Sequence, residues 1–152
     1  MLISGLTQKG YRQLAFDIAM NHYDNVFKVY KDTGTFWEYY APEDAKPGFM
    51  ARKDFVGWTG LPPIAVLIEY IFGIRANLQE REITLDVTLT DAYGIKKYPF
   101  GENGSIDIKV EKRSNKNVKP KVTITTNEPF KLLLLWENNK KEFEIRKGSI
   151  TI

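Results

Sequence analysis

The stretch GTFWEYYAPEDAKPGFMARKDFVGWTG, Gly34–Gly60, has no sustained helical or strand periodicity and is predicted to be a long loop. It contains seven aromatic residues and a central acid, Glu38, together with four glycines and two prolines. Loops of this length are uncommon in compact domains unless they are functional or disordered, and disordered segments are usually poor in aromatic residues. The stretch therefore predicts a binding or catalytic loop that the rest of the chain holds in place.

The composition excludes several classes of function. The chain has 152 residues with a net charge of +3, and it has no long basic run, so nucleic acid is not indicated as a partner. It has no cysteine, which excludes disulfides, zinc-thiolate sites and thiol catalysis. A single histidine, His22, argues against a His-based metal cluster or a Ser-His-Asp triad. No signal peptide or membrane helix is predicted, so we expect a soluble chain without a cofactor.

Two helices are predicted on either side of the central loop. Apolar residues at spacings of three and four predict one long helix over residues 7–31, with Thr7 as its N-cap and Gly34 after its end. A second helix is predicted over residues 62–72, because Pro62 and Pro63 suit a first helical turn and Gly73 suits the position after the last turn. This second helix is apolar on nearly every side, so it requires cover all round, which two helices and a loop cannot supply alone.

From about residue 78 the apolar period changes from 3.6 to 2, which predicts β-strands. Ile83, Leu85, Val87 and Leu89 alternate with polar residues. Further strands are predicted near residues 95–100, 106–110, 120–126, 130–136, 141–146 and 149–152. The pattern predicts an α+β fold in which residues 1–77 are helical and residues 78–152 form a small antiparallel β-sheet or sandwich.

Two aromatic motifs carry a resemblance to a known family. TFWEYYAPE (Thr35–Glu43) and FVGWTG (Phe55–Gly60), followed by an apolar helix, resemble the carboxy-terminal end of inverting glycosidases built on a six-hairpin (α/α) barrel. This family includes trehalases, processing α-glucosidases and mannosylglycerate-hydrolase-like enzymes. The resemblance covers residues 5–75, about half of the chain, and implies that this half is part of such a barrel. Some relatives also carry a small β-domain after the barrel.

The resemblance implies roles for particular residues. Glu38 matches the position of the family's catalytic base, and Gly57, Trp58 and Thr59 match a segment that lines the sugar pocket. We also expect the aromatic residues Trp37 and Tyr39 to contact the sugar, because aromatic rings stack on its C–H faces. Arg52 is expected to pair either with Asp54 or with sugar hydroxyls.

An inverting glycosidase needs two carboxyl groups, about 6.5–9.5 Å apart, of which one activates water and the other protonates the leaving oxygen. In the family the second group is an aspartate well over a hundred residues upstream, and the full barrel has twelve helices. Glu43 and Asp44 are too close to Glu38 in sequence to serve as the opposing acid. We therefore expect the carboxy-terminal fragment of an enzyme, inactive alone and periplasmic or secreted if its parent follows many relatives.

Alternatives remain open at this point. Glu38 could be an ordinary loop carboxylate that accepts backbone hydrogen bonds, Trp37 and Trp58 could be core anchors, and His22 is expected to have no chemical role. The chain could instead be a carbohydrate-binding or accessory module, or a structural protein whose apolar helix docks onto another chain. The partners expected are accordingly an oligosaccharide or glycoside, the remainder of the barrel, or a second copy of the chain.

Overall fold

The computed structural model describes residues 2–152, and its α+β class confirms the predicted fold class. The chain forms two compact units, Met1–Ile71 and Phe72–Ile152. Helices make up the first unit and two β-sheets make up the second. The assignment of residues 1–77 to part of an (α/α) barrel remains a prediction.

The first unit begins with two helices, α1 (Leu2–Gln8) and α2 (Arg12–Thr33). The prediction of one helix over residues 7–31 was wrong at its amino end. Thr7 is not an N-cap but lies inside α1, where its hydroxyl donates a hydrogen bond to the Ile3 carbonyl at 2.9 Å. Gly10 adopts φ +85, and the following amide, that of Tyr11, donates to the Leu6 carbonyl. This left-handed glycine ends α1 and lets the chain start a new helix.

The core-facing side of α2 agrees with the predicted spacing. Ala15, Ala19, Val26 and Val29 are buried at intervals of three, four and seven residues. Gly34 follows the last turn with φ +76, and its amide donates to the Tyr30 carbonyl at 2.7 Å. The helix therefore ends at the glycine that the sequence indicated.

The second predicted helix is less regular than expected, and part of its surface is exposed. A 3-10 turn (Gly57–Gly60) leads into α3 (Leu61–Val66), and a single π-helical turn (Leu67–Ile71) follows. Leu61 and Ile64 are 69% and 61% exposed, in agreement with the expectation that two helices and a loop cannot cover this helix on every side. One of its faces has an apolar surface without a cover.

The second unit contains two four-stranded sheets. The first has the order β1-β2-β6-β7 and the second has the order β3-β4-β5-β8. The strands are β1 (Ile74–Asn77), β2 (Glu82–Asp86), β3 (Tyr93–Phe100), β4 (Gly104–Val110), β5 (Val122–Thr126), β6 (Phe130–Trp136), β7 (Asn139–Ile145) and β8 (Gly148–Thr151). All neighbouring strands are antiparallel except β2 and β6, which pair in parallel from Glu82–Lys131 to Asp86–Leu135. The β-sheet or sandwich predicted from the sequence is therefore antiparallel except at this one pair.

The core of the second unit is formed by the inward side chains of both sheets. The largest of them are fully buried, and they are Ile74, Ile83, Leu85, Ile106, Ile108, Ile124, Leu132, Leu134 and Ile145. The rings of Phe100 on β3 and Phe130 on β6 lie 5.4 Å apart, so side chains of the two sheets are in contact as in a sandwich. Strand β1 was missed by the sequence, and β2 ends four residues before the predicted alternation does.

Arg113 is a buried cation that connects loops of this unit through hydrogen bonds. It is 5% exposed, and its guanidinium donates to the backbone carbonyls of Val87, Leu89, Lys116 and Val118 at 2.8–3.1 Å. Burial lowers the pKa of Arg113 from its ordinary value. The four carbonyl contacts hold together the segments that follow β2 and β4.

Candidate functional site

The aromatic loop begins at a fixed point on the end of α2. The ring of Phe36 stacks on that of Tyr30 with centroids 4.8 Å apart. The indole N–H of Trp37 donates to the Thr33 hydroxyl at 2.9 Å, and the Trp37 amide donates to the Tyr40 hydroxyl at 3.2 Å. These contacts fix the backbone on both sides of Glu38.

The two aromatic motifs identified in the sequence meet in the structure. The Thr59 hydroxyl donates a hydrogen bond to the Trp37 carbonyl, 22 residues earlier in the chain, and also lies 2.8 Å from the Val56 carbonyl. Gly57 lies directly against Glu38, because a Cβ added at this glycine would be 3.0 Å from Glu38 Cγ. Gly57 also has φ +50, so a glycine is favoured there both by its conformation and by the neighbouring side chain.

Glu38 is half-buried, and its carboxylate has no hydrogen bond or ion pair within the part of the chain that the structure describes. The alternative in which backbone amides seal this carboxylate does not agree with that geometry. A held but unpartnered carboxylate can accept a proton from a bound water molecule. An inverting mechanism would also require a second carboxyl group about 6.5–9.5 Å from this carboxylate.

Tyr39 is partly exposed but firmly held. Its hydroxyl donates to the Phe49 carbonyl at 2.9 Å, and its own carbonyl accepts from the Gly48 amide at 3.0 Å. A Cβ at Gly48 would lie only 2.2 Å from Tyr39 Cδ2, so the ring packs directly on the backbone of this glycine. The ring is 41% exposed and presents part of its surface to solvent.

The remaining predicted contact residues differ in exposure. Trp58 is 87% exposed, so it is not a core anchor of the described structure, whereas Trp37 is half-buried. Arg52 is exposed, and among residues 2–152 its guanidinium forms no ion pair with Asp54. The structure brings Trp37, Glu38, Gly57 and Thr59 together and leaves Trp58 and Arg52 projecting from the surface of the loop.

The other acids of the loop lie elsewhere. Glu43 and Asp44 line a cavity against α2, and Glu38 is not among the residues that line it. Asp44 pairs with Lys46 at 2.7 Å on the surface. His22 on α2 lines the same cavity, which the sequence did not indicate.

No group of three or more His, Cys, Asp or Glu side chains between residues 2 and 152 is placed to hold a metal ion. Over the same residues, none of the helices combines the length and the apolar character that crossing a bilayer would require.

Comparisons with known proteins give one partial relationship. No protein-family model matches the chain, and no solved structure matches it. The chain is 39% identical over 57 residues to a probable mannosyl-oligosaccharide glucosidase of Schizosaccharomyces pombe. The match covers 38% of this chain and 7% of that protein. Part of the chain is therefore similar to part of a glycosidase.

Proposed function

We propose that this chain carries the general base and part of the sugar pocket of an inverting glycoside hydrolase, with Glu38 as the base. The partial similarity to a glucosidase is the observation that carries the proposal. The half-buried, unpartnered carboxylate of Glu38 beside Gly57 supports the choice of this residue.

In the proposed reaction, a water molecule bound to the Glu38 carboxylate attacks the anomeric carbon of the sugar. The new C–O bond forms as the bond to the leaving group breaks, and Glu38 takes the proton of the water. The leaving oxygen needs a proton from a second carboxyl group on the opposite face of the sugar. We assign no residue of this chain to that step, because Glu43 and Asp44 lie in the cavity beside α2.

The residues around Glu38 are proposed to bind and orient the sugar. The exposed ring of Trp58 offers a surface on which the C–H face of a pyranose can stack, and the Tyr39 ring offers a second. Arg52 is proposed as a donor to sugar hydroxyls. Trp37, Gly57 and Thr59 hold the base: the Thr59 hydroxyl joins the two motifs, and the missing side chain of Gly57 leaves room for Glu38.

An activated substrate tests the base separately from the acid. Fluoride leaves a glycosyl fluoride without a proton, so hydrolysis of an α-glycosyl fluoride needs the general base and not the general acid. The chain is expected to be inactive alone on ordinary glycosides because it lacks the acid, but α-glucosyl fluoride does not require that acid. We therefore expect fluoride release from this substrate, with β-glucose as the first product. We expect no turnover of an ordinary alkyl α-glucoside, whose leaving oxygen requires protonation.

The variant Glu38→Gln keeps the shape of the side chain and removes its basicity. Loss of a general base typically lowers a rate by about 100- to 10,000-fold, so fluoride release should fall to the background. The control is Glu80→Gln, which neutralises an exposed carboxylate in the second unit. Equal fluoride release by the wild type and Glu38→Gln would refute the role of Glu38, and robust turnover of an alkyl glucoside would refute the absence of an acid.

The exposed apolar side of α3 supports a further part of the proposal. Leu61 and Ile64 need a cover, and we propose that the remainder of an (α/α) barrel supplies it, together with the second carboxyl group. Addition of a polypeptide that contains the preceding part of such a barrel should then restore turnover of alkyl α-glucosides. A second copy of the chain would instead cover the face without restoring activity.

A non-catalytic carbohydrate-binding module is the second candidate function, and the 87% exposure of Trp58 favours it. Isothermal titration with oligosaccharides distinguishes the two candidates when it is combined with the fluoride assay. Binding that Trp58→Ala abolishes, without fluoride release by the wild type, would support the binding module.

A further inference from the structure

A cavity of about 370 Å³ lies in the first unit (the helical unit, Met1–Ile71), between α2 and the turn formed by residues 40–45. Its apolar wall comes from one face of α2, where Ile18, Val26 and Val29 line it. The volume falls within the range of about 300–1,000 Å³ that is usual for small-molecule sites. Since Glu38 does not line this cavity, it is separate from the site of the proposed function.

The turn that covers the cavity is held in a defined shape. Tyr40 and Pro47 form an isolated antiparallel bridge, and the Ala41 amide donates to the Lys46 carbonyl at 3.0 Å. The ammonium of Lys46 pairs with Asp44 at 2.7 Å. These contacts close the turn on itself, so its side of the cavity does not depend on a ligand for its shape.

The polar wall offers both donors and acceptors. The Asn25 side-chain amide donates to the Asn21 carbonyl at 2.8 Å and lies 3.2 Å from Asn21 Oδ1. This arrangement leaves the amide N–H groups of Asn21 and the side-chain oxygen of Asn25 able to bond a ligand. Burial lowers the pKa of His22, which keeps its imidazole neutral near pH 7 with one donor and one acceptor nitrogen.

Charge limits the class of ligand. The carboxylates of Glu43 and Asp44 line the cavity, while no lysine or arginine does. Lys46 pairs with Asp44, so the charge that an anionic ligand would meet is the carboxylate of Glu43. A neutral ligand with several hydroxyl groups can instead donate to Glu43 and Asn25 and accept from Asn21, while its C–H groups contact the apolar face of α2.

We propose that this cavity binds a neutral, polyhydroxylated molecule of about monosaccharide size. The proposal does not depend on the glycosidase function, because none of its residues takes part in the reaction assigned to Glu38. It assigns a ligand contact to His22, Asn21, Asn25 and Glu43.

The test is an NMR titration of the full chain with glucose, mannose and glycerol as probes, each up to about 50 mM, since a site with few hydrogen bonds is expected to bind in the millimolar range. We expect saturable shift changes in residues 18–29 and 40–46 for at least one hexose, and any changes in residues 52–59 report on the separate site around Glu38. Glucuronate, which adds a carboxylate to the same ring, should bind more weakly than glucose.

Two variants remove single contacts. Asn25→Ala and Glu43→Ala should each weaken hexose binding by about five- to tenfold, the usual effect of losing one hydrogen bond. The control is Glu102→Ala, which changes an exposed residue of the second unit (the β-unit, Phe72–Ile152) and should leave binding unchanged. Amide spectra of each variant establish that the helical unit is still folded.

Three results would overturn the proposal: no saturable shift with any neutral polyol, hexose binding that neither variant weakens, or glucuronate or glucosamine binding in preference to glucose. The variant Glu38→Gln separates the two sites. It should abolish fluoride release and leave hexose binding in this cavity intact, so that either proposal can fail without the other.

Discussion

Gly73 lies where the chain enters β1, and its replacement by alanine should destabilise the β-unit strongly. Its backbone has φ +72, and a Cβ built at this position would be 2.0 Å from the Asp86 carbonyl oxygen. The Asp86 amide also donates to the Gly73 carbonyl at 2.9 Å. Two backbone segments therefore approach each other so closely that only glycine fits between them.

The expected magnitude follows from these distances. A left-handed conformation costs an alanine about 1–2 kcal/mol relative to glycine, and the lower entropy of the unfolded chain returns about 0.4–1 kcal/mol. Relief of the contact requires the backbones to separate by about 1 Å, which breaks the hydrogen bond and leaves buried polar groups unpaired at about 1–3 kcal/mol. We expect Gly73→Ala to lower the free energy of unfolding by about 3 kcal/mol.

Gly101 provides a matched control, since it has the same φ of +72 in the same unit and no atom within 4 Å of an added Cβ. Gly101→Ala should therefore show the conformational effect alone, about 1 kcal/mol. The assay is urea unfolding followed through the amide signals of residues 72–152, which report on the β-unit by itself. Losses for the two variants that agree within about 0.5 kcal/mol would refute the argument from close approach.

Three further changes test other contacts. Thr59→Val removes the hydroxyl that bonds the Trp37 carbonyl, so hydrogen exchange in residues 34–60 should accelerate by an amount equivalent to about 0.5–1.5 kcal/mol, and unchanged exchange would contradict the role of this bond. Because burial lowers the pKa of His22 in the folded state below its unfolded value of 6.5, the associated stability is present above about pH 6.5 and decreases as the pH falls through the folded pKa. Thermal unfolding from about pH 7.5 to 5 should show this loss in the wild type and a smaller loss in His22→Gln, and equal slopes would contradict it. Arg113→Lys keeps the charge but loses the planar fork, so the β-unit should lose about 2–4 kcal/mol in urea unfolding, whereas a loss within about 0.5 kcal/mol would show that the four carbonyl contacts are dispensable.

Helix α2 shows which features of a helix can be predicted from the spacing of apolar residues. The spacing predicted its buried face, and Ala15, Ala19, Val26 and Val29 are buried accordingly. It did not show the break at Gly10, because an isolated glycine is compatible with a helix interior as well as with a helix end. The left-handed φ of Gly10 and the hydrogen bond from Tyr11 to Leu6 decide between the two.

The β-unit shows the same limit for strands. Alternating side chains located six of the eight strands closely, because alternate positions point to opposite faces in any strand. Parallel and antiparallel pairing share this period of two, so the parallel pairing of β2 with β6 could not be predicted from it. Tertiary packing between segments distant in sequence determines that residues 82–86 pair with residues 131–135.

The sequence by itself determined the two-part α+β composition, the buried faces of α2 and of most strands, and the aromatic motifs on either side of Glu38. These are local properties, since they depend on spacing along one segment. Tertiary structure alone decided that Thr59 reaches Trp37, that Gly57 lies against Glu38, that Trp58 is exposed, and that His22 faces a cavity. Each of these depends on contacts between segments distant in sequence, and no local pattern specifies which distant segments meet.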